Sequence, residues 1–188
     1  SKLYKGQALP FPHLALDQHK RGLSQESQDI PQAISDKLAG RQCIIDQNPL
    51  AERAGIYIGM PVGAALSLLE SLQVSVRDQR AEQAALKRIA AWCYQYSSRV
   101  CIVPQHNNLL LEVAASQRLF GDAETLARRI NTELEQLGYR VSSGIAPTPE
   151  AAHIAARHGL YIHTSGDIRK SIGALSIDSL NLQATAIQ

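Results

Sequence analysis

The chain has 188 residues, of which 45% are hydrophobic and 19% charged, so it can bury a core of ordinary globular composition. Its formal net charge of +2 is too small to favour or exclude a nucleic-acid partner. No apolar run approaches the roughly 18–20 residues that cross a bilayer, so we expect no membrane partner. Three cysteines without paired spacing predict neither a zinc site nor a disulfide framework. With no signal-peptide pattern at the amino terminus, we expect reduced thiols and a cytoplasmic location.

Short apolar segments divide the first half of the chain. Residues 8–16 predict a first strand, which two prolines confine to a sheet edge. The polar stretch 22–35 predicts an exposed connection, and residues 42–45 predict another short strand. Asn48 followed by Pro49 is typical of a helix start. A second short helix is predicted over 59–69.

The second half has stronger periodicity. Two long stretches place apolar side chains on one face at helical spacing, and two apolar runs separated by Pro and Asn predict a β-hairpin. The predicted elements are a helix over 79–96, strands over 100–103 and 109–113, a helix over 122–137, a strand over 139–145 and a helix over 148–158.

Taken in order, these elements predict an α+β fold. If the segment of about 22–76 is set aside as an insertion, the remaining order is βαββαβ, the ferredoxin-like split motif. The residues after 160 predict the start of a further element.

This arrangement resembles Y-family DNA polymerases of the UmuC/DinB superfamily, in which a ferredoxin-like palm carries a small helical fingers lobe after its first strand. Residues 48–60 resemble the fingers segment in which an Asn-Tyr-Glu-Ala-Arg run leads to Gly-Val and Gly-Met. Residues 144–147 resemble the family's Gly-Ile-Ala strand end. The resemblance implies a palm over 1–21 and 77–160, a fingers-like insertion over 22–76, and the start of a truncated thumb-like segment over 161–188.

The positions at which this family holds two magnesium ions lack charge in this chain. The two aspartates of the first strand fall on Ala8 and Pro10, and the acidic doublet of the hairpin falls on Asn107 and Asn108. Neutral side chains cannot offset the charge of two Mg²⁺ ions. We therefore expect no catalytic residue, no metal and no cofactor.

The family's triphosphate-binding positions have changed in the same way. The tyrosine and arginine of the fingers fall on Pro49 and Glu52, and the lysine that follows the Gly-Ile-Ala strand falls on Pro149. A carboxylate repels a triphosphate at a position where a guanidinium would attract it. We expect no nucleotide binding by these residues.

These changes at the metal and triphosphate positions resemble one branch of the family, the catalytically inactive ImuB proteins of bacterial mutagenesis cassettes. The shared segments are Ala91-Trp92, Leu109–Val113, Ser116 with Leu119–Gly121, and Ala146–Pro149. The resemblance implies an adaptor in damage-induced (SOS) translesion synthesis and DNA repair. Its expected partners are an error-prone polymerase, the sliding clamp and a RecA-like accessory protein, and its expected location is the cytoplasm, in association with the nucleoid.

Basic side chains in the second half are candidates for weak DNA contact. Such side chains usually form a solvated face, but they can also neutralise phosphates. The candidates are Arg128, Arg129, Arg157, Arg169 and Lys170.

Two alternatives stay open at this point. In an active polymerase with displaced acidic positions, Asp17, Asp46 or Glu112 would bind Mg²⁺, and carboxylates would cluster on the sheet face. An unrelated ferredoxin-like binding module would show no pairing with polymerase or clamp proteins. His153 and His158 are five residues apart and do not share a helix face, so they predict no metal site.

Overall fold

The computed structural model describes residues 5–24, 29–162 and 165–173. The chain forms two compact units. The first comprises 1–11, 86–137 and 141–188, and the second comprises 12–85 and 138–140. Among the described residues, no helix has the length and apolar character needed to cross a membrane. The assignment of palm, fingers and thumb-like ranges to these units stays a prediction.

The helices and strands are numbered here along the chain. They are β1 (Gly6–Pro10), α1 (Leu14–Lys20), β2 (Gln32–Leu38), β3 (Arg41–Gln47), α2 (Pro49–Arg53), α3 (Val62–Leu68), β4 (Gln73–Val76), α4 (Gln79–Cys93), β5 (Val100–Val103), β6 (Asn108–Glu112), α5 (Gln117–Phe120), α6 (Ala123–Gln136), β7 (Gly144–Ala146), α7 (Pro149–Arg157) and α8 (Ser165–Gly173).

The first unit is built on a four-stranded antiparallel sheet of order β5-β6-β1-β7. This is the strand order of the ferredoxin-like split motif, and it confirms the predicted fold class. Strand alternation separates the two faces of the sheet. One face buries Leu9, Leu109, Leu111 and Ile145, and α7 covers the other face over β1 and β7.

Helix α7 lies unusually close to the sheet. Its buried alanines form a cluster with Ala8 and Ala146. A Cβ atom on Gly144 would lie 2.0 Å from the backbone nitrogen of Ala156, which is far inside van der Waals contact. Glycine at this position is therefore what allows the helix and the strand to approach so closely.

The second unit contains a three-stranded sheet of order β3-β2-β4, with β2 antiparallel to β3 and parallel to β4. Helices α2 and α3 bury small and apolar side chains against one face of this sheet, in a cluster that includes Ala33, Ile44 and Ile56. The inserted segment therefore contains the two expected short helices and also a sheet, of which the sequence indicated one strand.

Several predicted helix boundaries are confirmed by their capping hydrogen bonds. The Oδ1 atom of Asn48 accepts from Ala51 N–H at 3.0 Å. Asp122 accepts from Thr125 N–H at 2.8 Å. Thr148 Oγ1 accepts from Ala151 N–H at 3.2 Å. Each side chain satisfies a donor that the first helical turn leaves free.

Four expectations of local structure were wrong. The first strand does not lie at a sheet edge, because β1 pairs with β6 on one side and with β7 on the other, and Pro10 is only its last residue. Residues 14–16 belong to α1 and not to the first strand, because a short apolar run does not distinguish the two conformations. Residues 32–35 form a buried part of β2, although their polar composition predicted exposure. Residues 139–143 are not strand. One reason is that the Arg140 N–H donates to the Asp17 carboxylate.

Candidate functional site

Three of the four expected metal positions lie on one face of the first sheet. The register places Ala8 opposite Leu110 and Pro10 opposite Asn108, so these side chains point to the α7 side. Asn107 lies in the hairpin turn with φ of +46°, in the left-handed conformation that asparagine tolerates. The structure thus brings Ala8, Pro10 and Asn108 together on adjacent strands.

Asn108 is buried and pairs with a residue of α7. Its amide Nδ2 atom contacts Nδ1 of His153, and its Oδ1 atom has no hydrogen-bond partner among the described residues. Burial lowers the pKa of His153 below its ordinary value of 6.5, and the nearby His106 and Arg157 charges lower it further. A neutral amide and an imidazole that favours its neutral form therefore occupy this end of β6.

Apolar packing fills the neighbouring position. Ala8 is fully buried among alanines of α7 and Ala146. A carboxylate at position 8 would enter a cluster of methyl groups, where an unpaired charge is strongly disfavoured.

The expected triphosphate positions in the second unit start a helix. Pro49 is the first residue of α2, behind the buried cap Asn48. Asn48 also accepts from Gln32 N–H at 3.0 Å and donates to the Ile30 carbonyl at 2.7 Å, so it fixes the start of β2 as well. Glu52 is exposed on α2. Pro49 thus has a local structural role, and Glu52 presents a negative charge.

The corresponding position in the first unit has the same local role. Pro149 follows the cap Thr148 and begins α7. Its ring fixes φ for the first helical turn, and its missing N–H would have no intrahelical partner there. The structure therefore explains both prolines as helix-starting residues.

The alternative acidic residues each have a partner. Asp17 is buried and accepts from the Arg140 backbone N–H at 2.8 Å and from Arg140 Nε at 3.0 Å. Asp46 is buried and lies 2.8 Å from His13 Nδ1, and it accepts from Leu16 N–H at 3.2 Å. Both carboxylates therefore have local structural contacts within the second unit.

Glu112 lies at the far end of β6 from Asn108. It stands opposite Gly6, whereas Asn108 stands opposite Pro10, and its carboxylate lies 3.3 Å from Arg99 Nη1. In the part of the chain that the structure describes, no three His, Cys, Asp or Glu side chains are grouped so that they could hold a metal ion.

The expected DNA-contact residues fall into two groups. Arg128 and Arg129 pair with Glu124 and Glu133 one turn away on α6. The remaining three are exposed on α7 and α8, and they are Arg157, Arg169 and Lys170. Intrahelical pairs leave the first group less available to phosphates than the second group.

Sequence reasoning missed an aromatic and ionic cluster at the end of α4. The Tyr96 hydroxyl donates to Glu133, which also accepts from Arg129 Nε at 2.9 Å. The Arg129 guanidinium lies over the Tyr96 and Phe120 rings, at 5.5 and 5.8 Å from their centroids. The Ser116 hydroxyl donates to the Tyr96 carbonyl. The Ser-x-x-Leu-Phe-Gly segment was the available signal, because its Ser and Phe both make these contacts.

Comparison with known sequences places the chain among Y-family polymerases and their relatives. A match to the impB/mucB/samB family covers residues 18–157. Protein ImuB of Caulobacter vibrioides is 28% identical over 130 residues, which is 68% of this chain and 28% of that protein. DNA polymerase IV of Citrobacter koseri is 29% identical over 157 residues, which is 81% of this chain and 44% of that protein. The chain spans less than half the length of these curated relatives.

Solved structures share the fold. The post-insertion binary complex of Dbh DNA polymerase superimposes with a TM-score of 0.74 at 20% identity, over 93% of this chain and 52% of that one. DinB from Sulfolobus solfataricus gives 0.69 at 20% identity, over 98% of this chain and 58% of that one. The palm-like sheet, the inserted segment and the family match agree with one another. The chain therefore belongs to the impB/mucB/samB family, as a Y-family polymerase-like domain.

Proposed function

We propose that this domain is a non-catalytic Y-family polymerase-like scaffold in translesion synthesis. The observation that carries the proposal is the face of the first sheet on which Ala8, Pro10 and Asn108 lie together. In an active two-metal site this face would present carboxylates to solvent. Here it presents a methyl group, a proline ring and a buried amide.

The residues at this face do not fit two magnesium ions. Two-metal phosphoryl transfer needs anionic oxygens that hold the ions a few ångströms apart. The candidate oxygen at this end of the sheet is the neutral Oδ1 of Asn108, which is buried beside α7. Glu112 is four residues further along β6. At about 3.3 Å per residue, it lies roughly 13 Å away along the strand. We infer that no two-metal site assembles there.

The fingers-like and α7 positions support the same proposal. Glu52 is exposed and negative at a position where a cation would bind a triphosphate. Pro149 offers neither charge nor a backbone donor. The alternative of an active polymerase with displaced acids loses support, because Asp17 and Asp46 hold separate local partners and Glu112 pairs with Arg99.

The scaffold part of the proposal rests on the resemblance to the ImuB branch and on the family match. Its partners would be an error-prone polymerase, the sliding clamp and a RecA-like accessory protein. Any DNA contact would use the exposed Arg157, Arg169 and Lys170 and would weaken steeply with salt. We place the protein in the bacterial DNA-damage response on the same basis.

The decisive experiment is calorimetric titration of Mg²⁺ and a deoxynucleoside triphosphate into this chain. The corresponding part of Citrobacter koseri DNA polymerase IV serves as the positive control. We expect binding heat in the control and none in this chain. Binding of similar strength in both would refute the non-catalytic assignment and return the polymerase alternative to first place.

A matched variant makes a negative result informative. Asn107→Asp combined with Glu52→Arg restores one anionic and one cationic position on exposed or turn residues, so the fold should survive. Because Ala8 and Asn108 stay unchanged, we expect this variant to give no binding heat either. If the variant gained Mg²⁺-dependent nucleotide binding, one restored carboxylate would be enough for the site. The argument that several anionic oxygens are needed would then be wrong.

A further inference from the structure

The two edges of the second sheet differ in how they are covered. The outer edge of β3 is paired with the turn that precedes α3. Ile44 N–H donates to the Met60 carbonyl at 2.8 Å, and Gly59 N–H donates to the Ile44 carbonyl at 2.7 Å. The opposite edge is β4, which has β2 as its neighbour on one side and no strand on the other among the described residues.

The hydrogen bonds of β4 identify which backbone groups are open. Gln73 N–H donates to the Pro31 carbonyl and Arg77 N–H to the Ser35 carbonyl, both at 2.9 Å. Backbone groups alternate along a strand, so those of Val74 and Val76 point to the outer edge. The Val76 side chain is also 69% exposed. Open edges of this kind are templates for an added strand.

A cavity of about 360 Å³ lies beside this edge, between β4 and α1. Ala15 and Ile34 supply its apolar lining, and the Ser75 hydroxyl and His19 Nε2 pair at 3.1 Å along its wall. Ser75 and Ile34 are register partners and therefore share the α1 face of the sheet. Alternate side chains of an added strand would point into this cavity.

The charges at the cavity favour a basic side chain. Arg77 lines the cavity, but its guanidinium is already bound by Glu82, at 2.7 and 3.0 Å, and by Asp36, at 3.4 Å. Asp78 also lines the cavity, and its carboxylate caps α4 by accepting from the Ala81 N–H. Asp36 and Glu82 do not line the cavity, but they offset the charge of Arg77. The Asp78 carboxylate therefore gives the lining a negative charge, which repels phosphodiesters and attracts lysine or arginine.

We propose that β4 is a docking edge for an extended, lysine- or arginine-bearing segment of a partner protein. Such a segment would add a fourth strand to the sheet through the open groups of Val74 and Val76. Its basic side chains would enter the cavity beside Asp78. The inference concerns the second unit and is independent of whether the first unit binds metal or nucleotide.

The test uses NMR of the ¹⁵N-labelled chain with an end-blocked hexapeptide of alternating valine and lysine as the probe. Its control is the same peptide with glutamate in place of lysine. In the free chain, we expect the Val74 and Val76 amides to exchange rapidly and the Ser75 amide to be protected. The lysine peptide should slow the exchange of Val74 and Val76 at least tenfold, and the glutamate peptide should not.

Two variants separate the strand from the charge. Val76→Pro removes an outer N–H that no sheet hydrogen bond uses, so the chain should still fold and its affinity for the lysine peptide should fall at least tenfold. Asp78→Asn keeps an oxygen to cap α4 and should remove most of the preference for lysine over glutamate.

Several outcomes would overturn the proposal. Protected Val74 and Val76 amides in the free chain would mean that the edge is already covered. Equal binding of the lysine and glutamate peptides would refute the charge argument. An unchanged affinity in Val76→Pro would refute the addition of a strand at this edge. Displacement of the peptide by duplex DNA would show that this surface is a nucleic-acid site instead.

Discussion

The close contact between β7 and α7 gives the sharpest stability prediction. In Gly144→Ala the new Cβ atom would lie 2.0 Å from the Ala156 nitrogen and 2.4 Å from the Ala155 carbonyl carbon. Ordinary contact begins at 3.4 Å, so α7 would have to retreat by about 1.4 Å, the difference between those two distances. Backbone atoms cannot rotate away as a flexible side chain can. The helix would therefore move as a body and loosen the alanine cluster around Ala8.

The magnitude follows from overpacking and from lost contacts. Overpacked cores lose roughly 1–3 kcal/mol, and a gap of up to about 1 Å already forfeits as much as half of each dispersion contact. Because both effects act on a fully buried cluster, we expect Gly144→Ala to lower the free energy of unfolding by about 3 kcal/mol or more. Urea denaturation followed by circular dichroism measures this loss.

Gly63→Ala is the matched control, because the new Cβ atom on α3 would meet nothing within 4 Å. It should be neutral or stabilise the chain by about 0.5–1 kcal/mol. A loss below about 1 kcal/mol in Gly144→Ala, with Gly63→Ala neutral, would refute the packing argument.

Other substitutions test the ion pair, the buried histidine and the thiols. Arg140→Met should cost about 3 kcal/mol, because it strands the buried Asp17 carboxylate. Asp17→Asn should lower the free energy of unfolding by less in the same urea assay, since the Arg140 side chain that remains is partly exposed to solvent. Equal losses in the two variants would contradict this reasoning. Because burial lowers the pKa of His153, protonation favours the unfolded chain, and stability should fall as pH drops below about 6.5. His153→Gln should reduce this dependence of stability on pH, measured by thermal unfolding between pH 7 and 5. An unchanged dependence would mean that another group causes it. Burial raises the pKa of Cys93 to about 12, so the exposed Cys101 should react much faster than Cys93 with a thiol reagent at pH 8. Mass spectrometry of the labelled chain measures the two rates.

The amino-acid sequence by itself determined the local features of this protein. The caps Asp122 and Thr148 and the hairpin of β5 and β6 were all predictable. Each depends on residues that are neighbours in the chain or on an apolar period within one element. The resemblance to Y-family polymerases could be stated for the same reason, since it rests on short segments in a fixed order.

Only the tertiary structure decided how distant segments meet. The polar start of β2 is buried because Asn48, 16 residues away, binds the Gln32 N–H. Arg140 leaves the predicted strand because Asp17, 123 residues earlier, accepts its backbone N–H. No pattern in the chain encodes such pairs, because their free energy comes from contacts that form after the elements pack. The covered face around Ala8 and the open edge of β4 follow from the same long-range packing, and composition alone indicated neither.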